Sequence, residues 1–296
     1  RETSEHSVAL VQANIDQNKK WLRSERANNF KRHLDLSQEH WDSELIVWPE
    51  AAITLFGAEA DRAMKLLDET AGKTDTNLVS GVPTVNFFQG GISESKNSLV
   101  ALGRGVGTYS KVHLVPFGEY VPLEQLLRGL ITFFDLPMST MTPGDAIQPN
   151  LELVMGGTTI QAAAAICYEI AYGDSLRRRA ADSQLIINVS NDTWFGATAG
   201  PQQHLQIARI RAIENGRPLL RATNNGVTAS INAYGSIRSV LPQFEAGVLK
   251  TSVKLAEGRT PYSHLGDFPV LALLMTCFIW GFLRSKFSFA KRFGLP

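Results

Sequence analysis

The 296-residue sequence predicts an α/β layered domain followed by a transmembrane helix. Three observations predict it. Short apolar runs alternate at first with one-sided helical stretches, and hairpin signals come later. A final run of uncharged residues then leads into a basic tail.

The elements follow in order. Val8-Ala-Leu-Val-Gln12 reads as a short strand, and the polar stretch from about Gln17 to His40 is compatible with helix. Leu45-Ile-Val-Trp48 is a buried strand stopped by Pro49, which has no N–H to give to a sheet. Residues 57 to 71 carry Ala60, Ala63, Met64 and Leu67 at helical spacing, so one face is apolar. Leu78-Val79 and Ser98 to Leu102 read as further strands with Gly-rich ends. A helix is expected from Pro122, a good first helical residue, to about Gly129. The apolar run Thr158 to Ile166 is a strand, and a basic helix containing Arg177, Arg178 and Arg179 follows it. Leu185 to Val189 is a buried strand, and Pro201 opens a helix to about Asn215. Strands Leu219 to Thr223 and Val227 to Asn232 flank the turn signal Asn224-Asn225-Gly226. One mixed sheet over about residues 7 to 260 is the simplest assembly of these pieces.

The C-terminal segment differs. Phe268 to Leu283 is uncharged, with Pro269 near its start and Trp280 near its end. As a helix it reaches roughly 24 Å against about 30 Å of hydrocarbon, so length alone also permits a core helix docked on the domain. The tail favours a membrane span. Arg284 and Lys286 can snorkel, Trp280 suits an interface, and Lys291 and Arg292 add positive charge. By the positive-inside rule the tail is cytoplasmic and the domain lies on the other side.

Charge is balanced, at 29 basic against 28 acidic residues, so the total predicts no nucleic-acid partner. Two cysteines in different settings do not form a disulfide framework. The chain opens on Arg1-Glu2-Thr3, without Met or an apolar leader, and is expected to be a fragment or a processed product.

Three chemically able residues end separate strands. Glu50 closes Glu-Leu-Ile-Val-Trp-Pro-Glu, Lys111 closes Gly-Val-Gly-Thr-Tyr-Ser-Lys, and Cys167 follows the Ala-rich run. A thiol must lose its proton to attack a carbonyl, and a carboxylate can take it. An ammonium can meet the negative charge that then develops on oxygen. Taken singly, each also fits a bland role: a buried small residue, a solvated turn, a surface lysine.

The segments Val-Trp-Pro-Glu50, Tyr-Ser-Lys111-Val-His-Leu-Val-Pro-Phe-Gly-Glu119-Tyr-Val-Pro and Ala-Ala-Ile-Cys167-Tyr-Glu169 resemble the Glu-Lys-Cys motifs of the nitrilase (carbon–nitrogen hydrolase) superfamily. The longer matches resemble its apolipoprotein N-acyltransferase branch. Ser190-Asn-Asp-Thr-Trp-Phe-Gly196, Arg217 to Gly226 and Thr260-Pro-Tyr262 point the same way.

The resemblance implies a nitrilase-like αββα sandwich with a C-terminal transmembrane helix. It divides the chain into a catalytic domain over residues 1–262, a transmembrane helix over 266–284 and a basic cytoplasmic tail over 285–296. It implies transfer of an acyl chain from the sn-1 ester of phosphatidylethanolamine, through a Cys167 thioester, to the α-amine of a diacylated apolipoprotein. Glu50 would be the base, and Lys111 with the N–H of Tyr168 would hold the oxyanion. Glu119 would steady Lys111 or handle a proton, and Tyr168 and Glu169 would shape the nucleophile's loop. No metal or diffusible cofactor is implied, because the acyl donor is already an ester. The implied setting is the bacterial inner membrane, with several upstream spans and a periplasmic catalytic domain.

Trp21, Asn97 and Trp194 sit in family-like contexts as candidate substrate contacts, and His204 reads as a packing or capping residue. The apolar stretch from 131 to 141 is expected to be a mobile lid whose Phe133, Phe134, Leu136 and Met138 meet acyl chains. Two other readings share the motifs: a membrane-tethered amidase, and a silent lipoprotein-binding module. Water as second nucleophile marks the first, and loss of Glu50, Lys111 or Cys167 would mark the second.

Overall fold

The computed structural model describes residues 2–88, 91–120, 122 and 141–293. The first sheet is built from β1 (Glu2–Gln12), β2 (Leu45–Val47), β3 (Asn77–Phe88), β4 (Gly91–Gly103), β5 (Thr108–Ser110) and β12 (Gly247–Ala256). The second contains β6 (Leu151–Met155), β7 (Thr158–Ile166), β8 (Leu185–Ser190), β9 (Leu219–Thr223), β10 (Thr228–Ile231) and β11 (Ile237–Leu241). Their orders are β12-β1-β2-β3-β4-β5 and β11-β10-β9-β8-β7-β6. Each sheet has three parallel strands, β1-β2-β3 and β7-β8-β9, with antiparallel strands on both sides.

Strand periodicity builds the layers. Val8 and Leu10 of β1 point into the core between the sheets, where they meet Ile166, Ile187 and Leu220 of the second sheet. Their neighbours Ala9 and Val11 point outward, beneath α2 (Arg26–Ser37) and α3 (Ala58–Lys73). Strand β7 behaves alike: Ala162 and Ala164 face inward, while Ala163 and Ala165 lie under α4 (Gly173–Ala180) and α5 (Gly200–Asn215). Parallel strands covered on both faces are expected to be buried throughout, as β2 and β8 are; β2 is wholly apolar, and β8 carries Asn188 and Ser190 toward its end. The result is four layers, helix-sheet-sheet-helix.

One sequence expectation is corrected here. The single mixed sheet is two sheets, because the strands of the first half, β1–β5, and those of the second, β6–β11, each pair among themselves; β12 alone crosses back, antiparallel to β1 from Glu2 to Gln12. Neither β11 nor β12 carries a continuous apolar run, and most of their side chains are exposed or half-buried. The helix-compatible stretch after Gln17 is also divided. A short helix, α1 (Gln17–Lys20), is capped by Asp16, whose carboxylate accepts the Asn18 N–H at 2.7 Å. Helix α2 begins only at Arg26. The helix expected after Pro122 and the lid residues Phe133, Phe134, Leu136 and Met138 lie outside the described residues.

After α6 (Pro261–Leu265), α7 runs from Phe268 to Phe293. Every described side chain from Asp267 to Phe282 is exposed, so α7 is not a helix docked on the domain. Among the described residues no helix is long and apolar enough to cross a membrane.

Candidate active site

The C-terminal ends of β2, β5, β7 and β8 converge on one rim, the usual ligand edge of a parallel sheet. Glu50 follows β2 by three residues. Gly81 of β3 makes its position possible: a Cβ there would lie 2.5 Å from the Ala51 nitrogen and 2.8 Å from the Glu50 Cα. Both are backbone atoms, so the turn carrying Glu50 would have to move. We expect Gly81→Ala to lower turnover at least tenfold, with a far-UV spectrum like wild type. Unchanged turnover would show that the close approach does not hold Glu50.

The buried Glu50 carboxylate is held from three sides. Oε1 accepts from Asn97 Nδ2 at 2.7 Å and lies 3.5 Å from Lys111 Nζ; Oε2 accepts the Asn191 N–H at 2.7 Å. Lys111, just past β5, donates from Nζ to Glu119 Oε1 at 2.8 Å. Asn97 also donates to Glu119 Oε1, at 3.1 Å, so one amide spans both carboxylates. Glu119 Oε2 accepts the Val115 N–H at 2.8 Å. Burial opposes charge on Lys111, but Glu50, Cys167 and Glu119 outweigh it and raise its pKa above the ordinary value. Lys111 therefore stays protonated at neutral pH.

Cys167 follows β7 directly and opens a short 3-10 turn, Cys167–Ala171. Its φ of +53° lies in the left-handed region, which costs a non-glycine residue about 1–3 kcal/mol. Such a turn lifts a side chain off the end of its strand. Burial pushes the thiol up to about 12, with the Glu50 charge adding to it and Lys111 opposing. The resting group is a thiol, and its proton must leave as it attacks.

Two buried clusters fix the Cys167 turn. Glu169 Oε1 accepts from Tyr109 Oη at 2.8 Å and from the N–H groups of Val112 and His113 at 2.8 and 3.2 Å. Its Oε2 accepts the Ile166 N–H at 2.9 Å, so one side chain ties the chain before Cys167 to the chain after Lys111. On the other side, His204 Nε2 lies 3.0 Å from the Cys167 carbonyl oxygen. His204 Nδ1 lies 3.0 Å from both Asp192 Oδ1 and Arg221 Nη2. Burial and the Arg221 charge lower the His204 pKa, so its ring is neutral near pH 7. The Cys167 carbonyl oxygen can only accept, so Nε2 carries the hydrogen of that bond, while Nδ1 sits between Asp192 Oδ1 and Arg221 Nη2. The fully buried Arg221 also donates to Asp192 Oδ2 at 2.7 Å and to Asn188 Oδ1.

Of the sequence candidates, Glu50, Lys111, Glu119 and Asn97 share one hydrogen-bonded network, with Cys167 beside it. Tyr168 is exposed, edge-on to Tyr172 at 5.4 Å, and Tyr172 stacks on His113. Trp194 is exposed on the turn Asp192–Phe195. Trp21 is half-buried and packs against Phe56 at 6.4 Å. Sequence reasoning did not single out Lys20, Asn191, Arg221 or Asp192, and gave His204 only a packing role. Among the described residues no group of three or more His, Cys, Asp or Glu side chains could hold a metal ion.

Residues 7–260 match the model of the carbon-nitrogen hydrolase family. The chain belongs to the carbon-nitrogen hydrolase family. Among curated relatives, the apolipoprotein N-acyltransferase of Vibrio vulnificus is 44% identical over 273 residues, covering 89% of this chain and 52% of the relative. That of Pseudomonas aeruginosa is 43% identical over 279 residues, covering 94% and 54%. The chain thus spans about half the length of these relatives. A branch-10 nitrilase-superfamily protein from Saccharomyces cerevisiae superposes with a TM-score of 0.61 at 17% identity, over 86% of this chain and 91% of that one. An amidase from Nesterenkonia sp. AN1 gives 0.59 at 20% identity, over 84% and 90%. At those identities the solved structures speak for the carbon-nitrogen hydrolase fold alone.

Proposed function

We propose that this chain is the catalytic part of an apolipoprotein N-acyltransferase, which moves an acyl chain from phospholipid to the N-terminal amine of a diacylated lipoprotein. One observation carries the proposal: relatives bearing that name are 43–44% identical over 89–94% of this chain.

The chemistry follows from the geometry. Glu50 takes the Sγ proton as Cys167 attacks the sn-1 carbonyl carbon of phosphatidylethanolamine. Lys111 gives one N–H to Glu119 and has another within reach of Glu50. An ammonium has three, and the third can meet the oxyanion together with the Tyr168 N–H. The ester C–O bond breaks, Glu50 returns its proton to the glycerol oxygen, and lysophospholipid leaves a thioester on Cys167. The lipoprotein amine attacks that thioester and gives its proton to Glu50. The C–S bond then breaks, and the thiol recovers the proton.

The same reading makes α7 a membrane anchor. Phe268, Leu271, Leu274, Phe278 and Phe282 present a continuous exposed apolar surface that water disfavours. Arg284 lies 4.6 Å over the Trp280 ring, a pairing suited to a headgroup layer. The domain boundaries 1–262, 266–284 and 285–296 belong to this reading, as do a periplasmic domain and an inner-membrane, multi-pass full-length protein. The lid, with Phe133, Phe134, Leu136 and Met138, would meet the acyl chains, and Trp21 and Trp194 would border them.

The test supplies the full-length protein with acyl-labelled phosphatidylethanolamine and a diacylated lipopeptide. Label is expected in a triacylated lipopeptide. Labelled free fatty acid with no labelled peptide would make the protein a hydrolase instead.

A further inference from the structure

The chemistry above asks the Tyr168 N–H to meet the oxyanion, and that N–H shares one peptide unit with the Cys167 carbonyl. A trans peptide is planar, so its C=O and N–H point in opposite directions. Whatever holds the carbonyl therefore aims the N–H. Buried His204 places Nε2 3.0 Å from that carbonyl oxygen. The Tyr168 N–H is among the first of the turn Cys167–Ala171, and the first N–H groups of a helical turn have no acceptor within it.

The anchoring extends along α5. Arg211 lies seven residues after His204, hence on the same helix face. It donates from Nε to the Ile170 carbonyl at 3.0 Å and from Nη2 to the Ala171 carbonyl at 3.3 Å. One face of α5 thus holds the carbonyls of Cys167, Ile170 and Ala171. The far nitrogen of the His204 ring is held as well, with Nδ1 at 3.0 Å from Asp192 Oδ1 and from Arg221 Nη2. Both ring nitrogens are committed, so His204 is not placed to exchange a proton with substrate. What it controls is the direction of one peptide.

We propose that His204 is a positioning residue for the oxyanion: by holding the Cys167 carbonyl, it aims the Tyr168 N–H at the oxygen that becomes negative as the thiol attacks. Lys111 supplies charge to that oxygen, and His204 sets the direction of the second donor. The inference rests on Cys167 being the nucleophile, but not on the identity of the acyl donor.

The experiment compares two reactions of Cys167 in the full-length protein, each quantified on the Cys167 peptide by mass spectrometry so that Cys277 does not contribute. The first is single-turnover acylation by acyl-labelled phosphatidylethanolamine, which passes through an oxyanion. The second is alkylation by iodoacetamide, in which sulfur displaces iodide at a saturated carbon and no oxyanion forms. His204→Asn keeps a polar group against Asp192 and Arg221 but is too short to reach the Cys167 carbonyl. It should acylate at least about tenfold more slowly than wild type, part of the about 10²- to 10³-fold that loss of an oxyanion donor costs, and alkylate within about threefold of it. His204→Gln, whose amide N–H reaches about as far as Nε2, should acylate faster than His204→Asn. An acylation deficit in His204→Asn below about tenfold, an equal deficit in alkylation, or no gain in His204→Gln would overturn the proposal. If His204→Asn does not fold, His204→Leu takes its place with the same expectations. Wild type that takes no label from phosphatidylethanolamine would count against the acyltransferase reading instead, and p-nitrophenyl butyrate then serves as acyl donor. No acylation of wild type by either donor would remove Cys167 as the nucleophile, and this inference with it.

Discussion

Glu50→Gln should slow formation of the acyl-enzyme by about 10²- to 10⁴-fold, the contribution of a positioned general base. With burial pushing Cys167 up to about 12, the resting group at pH 7 is the thiol. The thiol therefore depends on a base at the moment of attack. An amide cannot take that proton. It also fits the site poorly, because Glu50 accepts from Asn97 on one oxygen and from Asn191 on the other. A glutamine must turn its NH₂ toward one of these donors, which adds about 1–3 kcal/mol of instability. Single-turnover acylation of folded Glu50→Gln within threefold of wild type would remove Glu50 from the role of base.

Arg221→Met should have the largest effect on stability, about 3–5 kcal/mol in urea unfolding. Arg221 and Asp192 are both fully buried, and the guanidinium serves Asp192, Asn188 and His204 together. Removing it leaves the buried Asp192 charge without its guanidinium, facing only Ser190 Oγ and His204 Nδ1, and takes Arg221 away from His204 Nδ1. His204 then loses its fixed tautomer, and with it a steady bond to the Cys167 carbonyl. Adding Asp192→Leu to Arg221→Met should restore much of the stability, since the stranded charge is gone. It should not restore acylation, because His204 stays unanchored. A loss below 1 kcal/mol in the single variant would mean the cluster is not a stabilising unit.

The strand ends carrying Glu50 and Cys167 were legible because each follows a continuous apolar run, Leu45-Ile-Val-Trp48 and Ala162 to Ile166. Pairing of those strands in separate sheets was not legible from periodicity. Periodicity does not report strand partners, and β12, which crosses back to β1, carries Lys250, Thr251, Ser252 and Lys254 among its apolar residues. Asn97 stood in the sequence as a candidate substrate contact, and its two carboxylate partners place it within the network of Glu50 and Glu119. Lys20 was hidden. It lies in a polar, helix-compatible stretch where a lysine is ordinarily solvated, and its buried contacts are with Asn29 of α2 and the Glu50 turn, which the local pattern does not show. The terminal apolar run was plain, and α7 leaves it exposed rather than packed on the domain.

The account turns on a covalent acyl group at Cys167. Full-length protein incubated with acyl-labelled phosphatidylethanolamine, without acceptor, should yield a labelled peptide containing Cys167. Neutral hydroxylamine should release that label, and Cys167→Ala should carry none. Label that resists hydroxylamine, or that persists undiminished in Cys167→Ala, would contradict the thioester and the site built around it.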